Sequence, residues 1–448
     1  MQNQREIPLP TVRQQKWADC EVGVLIHFDI QAFEPKYKFR KHWGYSPEPK
    51  KFNPNQLDTD QWVKAAKDAG ATYAILTAKH CSGFCLWPSK DYEYCTTQSS
   101  YKDGKGDIVR DFIASCRKFG LKPGLYYSTG CNAFMQFDMS ANRMPNLESD
   151  KYIRYSELVE QQLRELWGNY GDLFEIWFDG GHFARGPDIP TLLTELQPNA
   201  ICFQGPPKWH SNLRWVGNEQ GHAPYPCWSS ISDITHYDGT KPIGNKHMGD
   251  PNGKIWMPAE TDTPNRIFQW MWYKNQDRLV IPAEKLLEYY YKSVGRNTNL
   301  LLGMVIDNRG LVPERDAQEF KKFGDYLRER FETPVGVGSG EGKEITLNLD
   351  TNQCINQVVI QEDTQFGERV LKFRVEGYSD GNWNILCEGT CIGHKFIKMF
   401  KLQQVSQVRL IIKEYRDTPK IRNLAVYCVP KLPRAKSLLA RLLRKNNQ

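Results

Sequence analysis

Residues 22–33 read VGVLIHFDIQAF. The apolar run Val22 to Phe28 has the length and composition of a buried β-strand, and the residues just beyond it separate two architectures. A dinucleotide-binding doubly wound sheet needs a glycine-rich GxGxxG turn directly after its first strand, so that backbone can approach a pyrophosphate. Here the strand runs out into IHFDIQAF, with a histidine at its end and no glycine. That ending suits a strand of a (β/α)₈ barrel, where polar side chains at the carboxyl ends of the strands form the active site.

Working outward, the same texture repeats. Tyr73 to Ala78 (YAILTA), Pro123 to Ser128 (PGLYYS), Leu173 to Asp179 (LFEIWFD) and Ala200 to Gln204 read as further strands. Amphipathic stretches lie between them. Asp58, Thr59 or Asp60 starts a helix that stops at Gly70, Asp107 to Phe119 is closed by Gly120, and Asp150 to Tyr170 precedes Gly171. A capping oxygen at the start and glycine at the end is the expected punctuation. Arg214 to Glu219, Ile255 to Glu260 and Asn299 to Met304 read as later strands, with helices over Ala283 to Val294 and Arg315 to Phe331. Residues 1–335 are therefore expected to form an α/β domain, a (β/α)₈-type barrel. After Thr333 a hinge, TPVGVGSGEG, leads into short alternating strands, which predicts a β-sandwich over residues 340–430 and a basic tail over 431–448.

Composition sets the class. The chain has 448 residues, 40% hydrophobic and 25% charged, which excludes collagen-like, coiled-coil and low-complexity chains. Aromatics reach 12%, and flat rings with a polar edge stack on sugars as well as filling cores. The net charge of +7 is concentrated at the end, where Pro430 to Gln448 carries basic residues and no acid. No basic face with interleaved aromatics is evident, so no nucleic acid partner is expected. The segment AKSLLARLL, Ala435 to Leu443, has helical spacing and reads first as a solvated helix, second as a segment touching an acidic membrane surface. No run approaches a transmembrane span, so no membrane-spanning segment is expected. The polar start lacks a leader's apolar core, which at face value places the chain in the cytoplasm; removal of a leader would make it periplasmic or secreted. Twelve cysteines without a CxxC pair read as buried thiols rather than a disulfide framework or zinc site.

The residues that close the apolar runs carry the chemistry. They are His27, then Lys79 and His80, then Tyr127 and Ser128, then Trp177 and Asp179, and later Glu219 and Glu260. Singly each has a plain structural reading; a lone aspartate before Gly180 and Gly181 is ordinarily a turn former. Jointly they supply a glycosidase's parts. One carboxylate attacks or supports an anomeric carbon and one carboxylic acid protonates the leaving oxygen. Trp43, Trp87, Tyr127, Trp177 and Trp272 are candidate stacking faces, and His27 and His80 candidate hydroxyl partners. A metal set of His27, His80 and Asp179 lacks any ligand-spacing motif such as HxH or HExxH. Of the two glutamates, Glu260 lies beside Asp262 and near Arg266, and a carboxylate paired with a cation stays ionised. Glu219 sits among Trp215, Gly217, Gly221 and Trp228, a less polar setting suited to a proton donor.

Together the segments GVLIHFDIQAF, HWGYSPEPKKFNPNQLDTDQWVKAAKDAGATYAILTAKHCSGFCLWPSK, DIVRDFIASCRKFGLKPGLYYS, EIWFDG, RWVGNEQG, WMPAETD and GRNTNLLLGMVIDNRGLVP resemble α-L-fucosidases of glycoside hydrolase family 29, in register over residues 10–330. The resemblance implies a retaining exo-glycosidase that releases terminal α-L-fucose from oligosaccharides or glycoconjugates and uses no metal or organic cofactor. It implies Asp179 as nucleophile and, through the GNE context, Glu219 as acid/base in the subgroup that prefers branched α-1,3/4-linked fucose. It places His27, Trp43, His80, Tyr127 and Trp177 on the fucose pocket, and Glu260, Arg266 and Trp272 join them as candidate binding residues. Two departures stand out: His80 is followed by Cys81 where many members have a histidine pair, and His42-Trp43 replaces Glu-Trp. Two other readings stay open from the residues, a fucose-binding barrel without turnover and an exo-glycosidase for another sugar, such as an α-galactosidase.

Overall fold

A computed structural model describes residues 6–139, 146, 148–182, 186–207, 209–232 and 247–433. The basic helix expected at Ala435 to Leu443 lies outside the described residues.

Eight parallel strands close a barrel: β1 (Val22–His27), β2 (Tyr73–Lys79), β3 (Lys122–Tyr127), β4 (Glu175–Trp177), β5 (Ile201–Phe203), β6 (Asn212–Trp215), β7 (Ala259–Thr263) and β8 (Asn299–Val305). They neighbour one another in chain order, and β8 pairs with β1 in parallel to close the ring. Outside lie α2 (Thr59–Asp68), α3 (Ile108–Phe119), α4 (Asp150–Gly168), α5 (Ile189–Leu196), α6 (Ala283–Lys292) and α7 (Glu314–Phe331). The sequence signals act as expected: the Asp58 and Asp107 side chains cap α2 and α3, and Gly120 ends α3 at φ 74°, the left-handed conformation that glycine adopts without a Cβ clash. The connections β5 to β6 and β6 to β7 carry no α-helix among the described residues.

A helix that the polar start did not announce, α1 (Val12–Ala18), lies across the amino-terminal end of the barrel. Thr11 and Gln14 form a reciprocal capping box, and the Gln14 amide donates to the carbonyls of Asn212 and Trp256. Trp17 enters the barrel, where its indole donates to Glu175 at 3.0 Å, and the Asn299 amide returns a 2.7 Å bond to the Trp17 carbonyl. Leu25, Tyr73, Ile75, Trp177, Phe203, Leu213 and Leu301 join Trp17 in this inner core. Gly23 on β1 is required there, because a Cβ would meet the Tyr73 ring at 2.2 Å.

The C-terminal strands form one six-stranded antiparallel sheet with its own buried core, the sandwich-like counterpart of the sandwich expected from sequence. Its strands are β9 (Gly336–Glu341), β10 (Glu344–Glu362), β11 (Val370–Ser379), β12 (Asn382–Gly389), β13 (Phe396–Tyr415) and β14 (Lys420–Tyr427). Instead of the short strands expected, residues Glu344–Glu362 form the single long strand β10, broken in register rather than by a turn. Buried polar contacts tie sheet to barrel. Asn297, between α6 and β8, donates to Glu368, and Glu368 accepts the Ser229 N–H at 3.0 Å. The buried Arg330 of α7 donates to the carbonyls of Pro430 and Lys431 at 2.8 and 3.0 Å. All twelve cysteines are free; nine are buried and Cys131 is half-buried, while Cys354 and Cys428 depart from the expected buried thiols and are exposed. Among the described residues no helix is long and apolar enough to cross a membrane.

Candidate active site

The carboxyl ends of the strands bring His27, His80, Trp177, Asp179 and Glu219 into one ring. At the end of β2, a register shift between Thr77 and Lys79 changes the alternation. Lys79 therefore turns outward, donating to the carbonyls of Ser128 and Cys131, and His80 turns inward. The His80 ring stacks on Tyr126 of β3 with centroids 5.7 Å apart, and His27 at the end of β1 stands edge-on to it at 6.1 Å. Tyr126 lies over Trp177 of β4 at 5.4 Å, and Trp177 over Phe203 at 4.1 Å, which makes an aromatic floor. Beyond β4, Asp179 opens onto solvent and accepts a 2.7 Å bond from the Tyr126 hydroxyl at Oδ2. Across the ring the Trp270 indole, 4.9 Å from His27, donates to Oε2 of exposed Glu219 at 3.0 Å. Glu219 sits in a turn after β6 that depends on Gly217, whose φ of 92° and contact with the His247 ring leave no room for a side chain.

Electrostatics follow from crowding. Burial lowers His27 to about 3, helped by neighbouring His80 and opposed by a hydrogen bond to the Leu25 carbonyl. That carbonyl accepts from Nδ1, which leaves Nε2 as an acceptor. His80 is likewise lowered to about 3 by burial first, then by Lys79 and Arg40. Both rings are neutral at neutral pH and can bind hydroxyls without carrying charge. Asp179 is raised by the surrounding protein, a shift opposed by the Tyr126 bond and the Arg40 cation. Asp29, just beyond β1, is raised to about 6 by burial against hydrogen bonds from Ser82, Gln31 and Ile30; its Oδ2 lies 4.0 Å from His80 Nδ1.

Several expected positions move. Tyr127 faces the helix layer, donating to Gln162 of α4 at 2.6 Å, while its neighbour Tyr126 takes the pocket side. Successive side chains on a strand point to opposite faces, so an error of one residue exchanges the pocket for the outer core. Glu260 lies at the start of β7 rather than at its end, fully buried, and accepts from Tyr73 at 2.7 Å and from the Trp177 indole at 3.0 Å. Arg266 does not pair with it; its guanidinium is buried against Asp316 at 2.7 Å, with Asp277 as second partner. Burial therefore raises Glu260 to about 7, the opposite of the ionised state expected beside a cation. Trp272 packs half-buried against the main core, and the pocket ring is Trp270, two residues earlier. Trp87 is buried outside the barrel with its indole on Glu165. Trp43 is half-buried in the loop between β1 and α2, which also brings Phe39 against His80 at 5.9 Å.

The chain that carries this site has known relatives. The family model described as Alpha-L-fucosidase matches residues 9–332. Alpha-L-fucosidase 1 of Arabidopsis thaliana is 28% identical, over 94% of this chain and 88% of its own length. A crystal structure from Bacteroides thetaiotaomicron VPI-5482 aligns with a TM-score of 0.89 and 37% identity, covering 95% of this chain and 100% of that one. A glycoside hydrolase 29 family member from an unknown rumen bacterium aligns with a TM-score of 0.81 and 31% identity, covering 96% of this chain and 79% of that one. With the closed barrel and a family match over residues 9–332 in agreement, the chain belongs to the α-L-fucosidase family, a family of glycosidases.

Proposed function

We propose that this α-L-fucosidase works by double displacement with retention at the anomeric carbon, and that it prefers fucose in α-1,3 or α-1,4 linkage on branched glycans. One observation carries the mechanism: of the strand-end acids, Asp179 and Glu219 are exposed, each held by one N–H or O–H from the pocket wall, whereas Glu260 is sealed inside the barrel with both oxygens engaged. A general acid must first reach its proton acceptor, and only then does its pKa matter. Glu260 meets the second condition alone.

Asp179 attacks the anomeric carbon while Glu219 donates its proton to the departing glycosidic oxygen; Glu219 then takes a proton from water, whose oxygen displaces the carboxylate and releases fucose. Tyr126 holds Asp179 through Oδ2 and leaves a carboxylate oxygen for attack. Neutral His27 and His80 bind hydroxyls, Trp177 and Trp270 supply apolar faces, and the C-terminal sheet braces the barrel from outside the ring. The linkage preference is supported by the Gly217-Asn218-Glu219 turn.

The test incubates the enzyme with Lewis-type trisaccharides, 2′-fucosyllactose and an aryl α-L-fucoside side by side and follows the first anomer by proton NMR. Lewis trisaccharides should be cleaved fastest, with α-fucose appearing first. Faster cleavage of the aryl fucoside would remove the linkage preference, and initial β-fucose would remove the double displacement.

A further inference from the structure

We propose that the pocket is also a binding site for a soft divalent cation of the zinc and cadmium class, held by the imidazole of His80, the thiol of Cys81 and the carboxylate of Asp179. One donor atom from each of the three lies within 4.8 Å of the other two. Tetrahedral zinc with nitrogen, oxygen and sulfur at about 2.0–2.3 Å wants its donors roughly 3.3–3.8 Å apart, so closure needs a contraction of about 1 Å. Side-chain rotation can supply that, since Asp179 is exposed and stands at a strand end.

The surroundings are arranged as a metal's outer shell would be. His80 Nδ1 is buried without a hydrogen-bond partner, and it faces Asp29 Oδ2 at 4.0 Å. Drawn slightly closer, Asp29 accepts the Nδ1 proton and leaves Nε2 as the metal donor, the carboxylate–histidine relation that fixes tautomer and ring orientation at metal sites. Tyr126 pins two ligands from different strands against one ring, stacking on His80 and bonding Asp179. A second thiol, Cys131, lies behind Cys81 with its Sγ 3.8 Å from the Cys81 carbonyl, outside the three-donor set, and a water completes four-coordination. The nearest cations do not block the site: Lys79 Nζ is spent on two carbonyls and Arg40 is exposed. Thiolate with imidazole selects borderline and soft ions over magnesium or calcium. Binding releases the Cys81 thiol proton to solvent; no electron moves.

The double displacement gives this cation no catalytic task. An ion on Asp179 occupies the oxygen needed for attack, so it inhibits, a consequence that rests on Asp179 being the nucleophile. The test uses full-length reduced protein in which exposed Cys354 and Cys428 are serine, titrated with CdCl₂ by calorimetry and by the ultraviolet thiolate-to-cadmium charge-transfer band. One equivalent should bind with growth of the band. Adding Cys81→Ser should abolish the band and weaken binding at least about tenfold, and Asp179→Asn should weaken binding while keeping the band. A band that survives Cys81→Ser, or that is missing from the starting protein, overturns the site. Cadmium should slow aryl fucoside hydrolysis competitively with substrate, reversed by EDTA. Binding with the band but full activity would leave the site standing and count against Asp179 as nucleophile.

Discussion

The hydroxyl of Tyr126 stands 2.7 Å from Oδ2 of Asp179, and the adjacent tyrosine on the same strand, Tyr127, bonds Gln162 on the far side of the barrel wall. The pair offers an internal control. Tyr126→Phe should lower kcat by roughly ten- to a hundredfold, because a hydrogen bond to a charged group contributes about 1.5–3 kcal/mol. Tyr127→Phe should leave kcat unchanged and lower the melting temperature, since it strands a buried amide oxygen. Equal losses of kcat in both variants would contradict the assignment of faces.

Asp179→Asn should reduce kcat/KM by about 10³-fold or more while the melting temperature stays within a few degrees, as expected for a nucleophile outside the core packing. Retention of a tenth of the wild-type rate on the best substrate would exclude the role.

Glu219→Ala should slow substrates with poor leaving groups far more than aryl fucosides, and azide should restore turnover by yielding a retained-configuration fucosyl azide. Glu260→Ala should show no azide rescue. The opposite pattern would transfer the acid/base role to a side chain that must first leave the barrel interior.

Glu260 and Glu175 form a buried acid pair beneath the aromatic floor, where burial raises both and each bears on the other. Glu260 titrates near 7 in the folded chain, against about 4.3 when exposed. The folded state therefore holds the proton more tightly, and this contribution to stability is complete below the unfolded value and lost as pH rises through about 7. Glu260→Gln, a neutral isostere, should melt with wild type at about pH 4 and above it at about pH 8. A gap that does not change with pH would show that the pair carries no titrating proton.

Asn297 donates to the Cys227 carbonyl at 2.9 Å and to Glu368, and accepts the His394 N–H at 2.6 Å, with its own φ at 66°. Asn297→Ala should lower stability by about 2–4 kcal/mol while leaving kcat at low temperature intact, because it unpairs buried groups between barrel and sheet and strains the backbone. Calorimetry with a parallel aryl fucoside assay decides it.

The barrel strands were legible because runs such as VGVLIHF and YAILTA are apolar on both faces, and the helices because aspartate and glycine mark their ends. Asp179 and Glu219 were legible as strand-end acids. Tyr126 was missed by one residue, since a tyrosine pair gives no clue to which member faces inward when a register shift on the neighbouring strand changes the count. Glu260 was misplaced because the stretch Ile255 to Glu260 divides: Ile255–Trp256 pairs in a separate ribbon, and the barrel strand begins only at Ala259. Helix α1 was overlooked because its apolar content is nearly confined to Trp17, and its docking depends on partners far along the chain.

The distance between α1 and its partners bears on how the molecule is made. Helix α1 is synthesised before every barrel strand, yet its partners are Glu175, Asn212 and, 282 positions later than Trp17, Asn299. Strand β1 likewise waits for β8 before its second edge is covered. Helix α1 thus stays undocked until the last barrel strand emerges, and ring closure couples the two ends of the barrel in a single late event. A nascent chain halted before residue 299 should expose an open sheet edge, and chaperone demand during translation should fall sharply once β8 clears the exit tunnel.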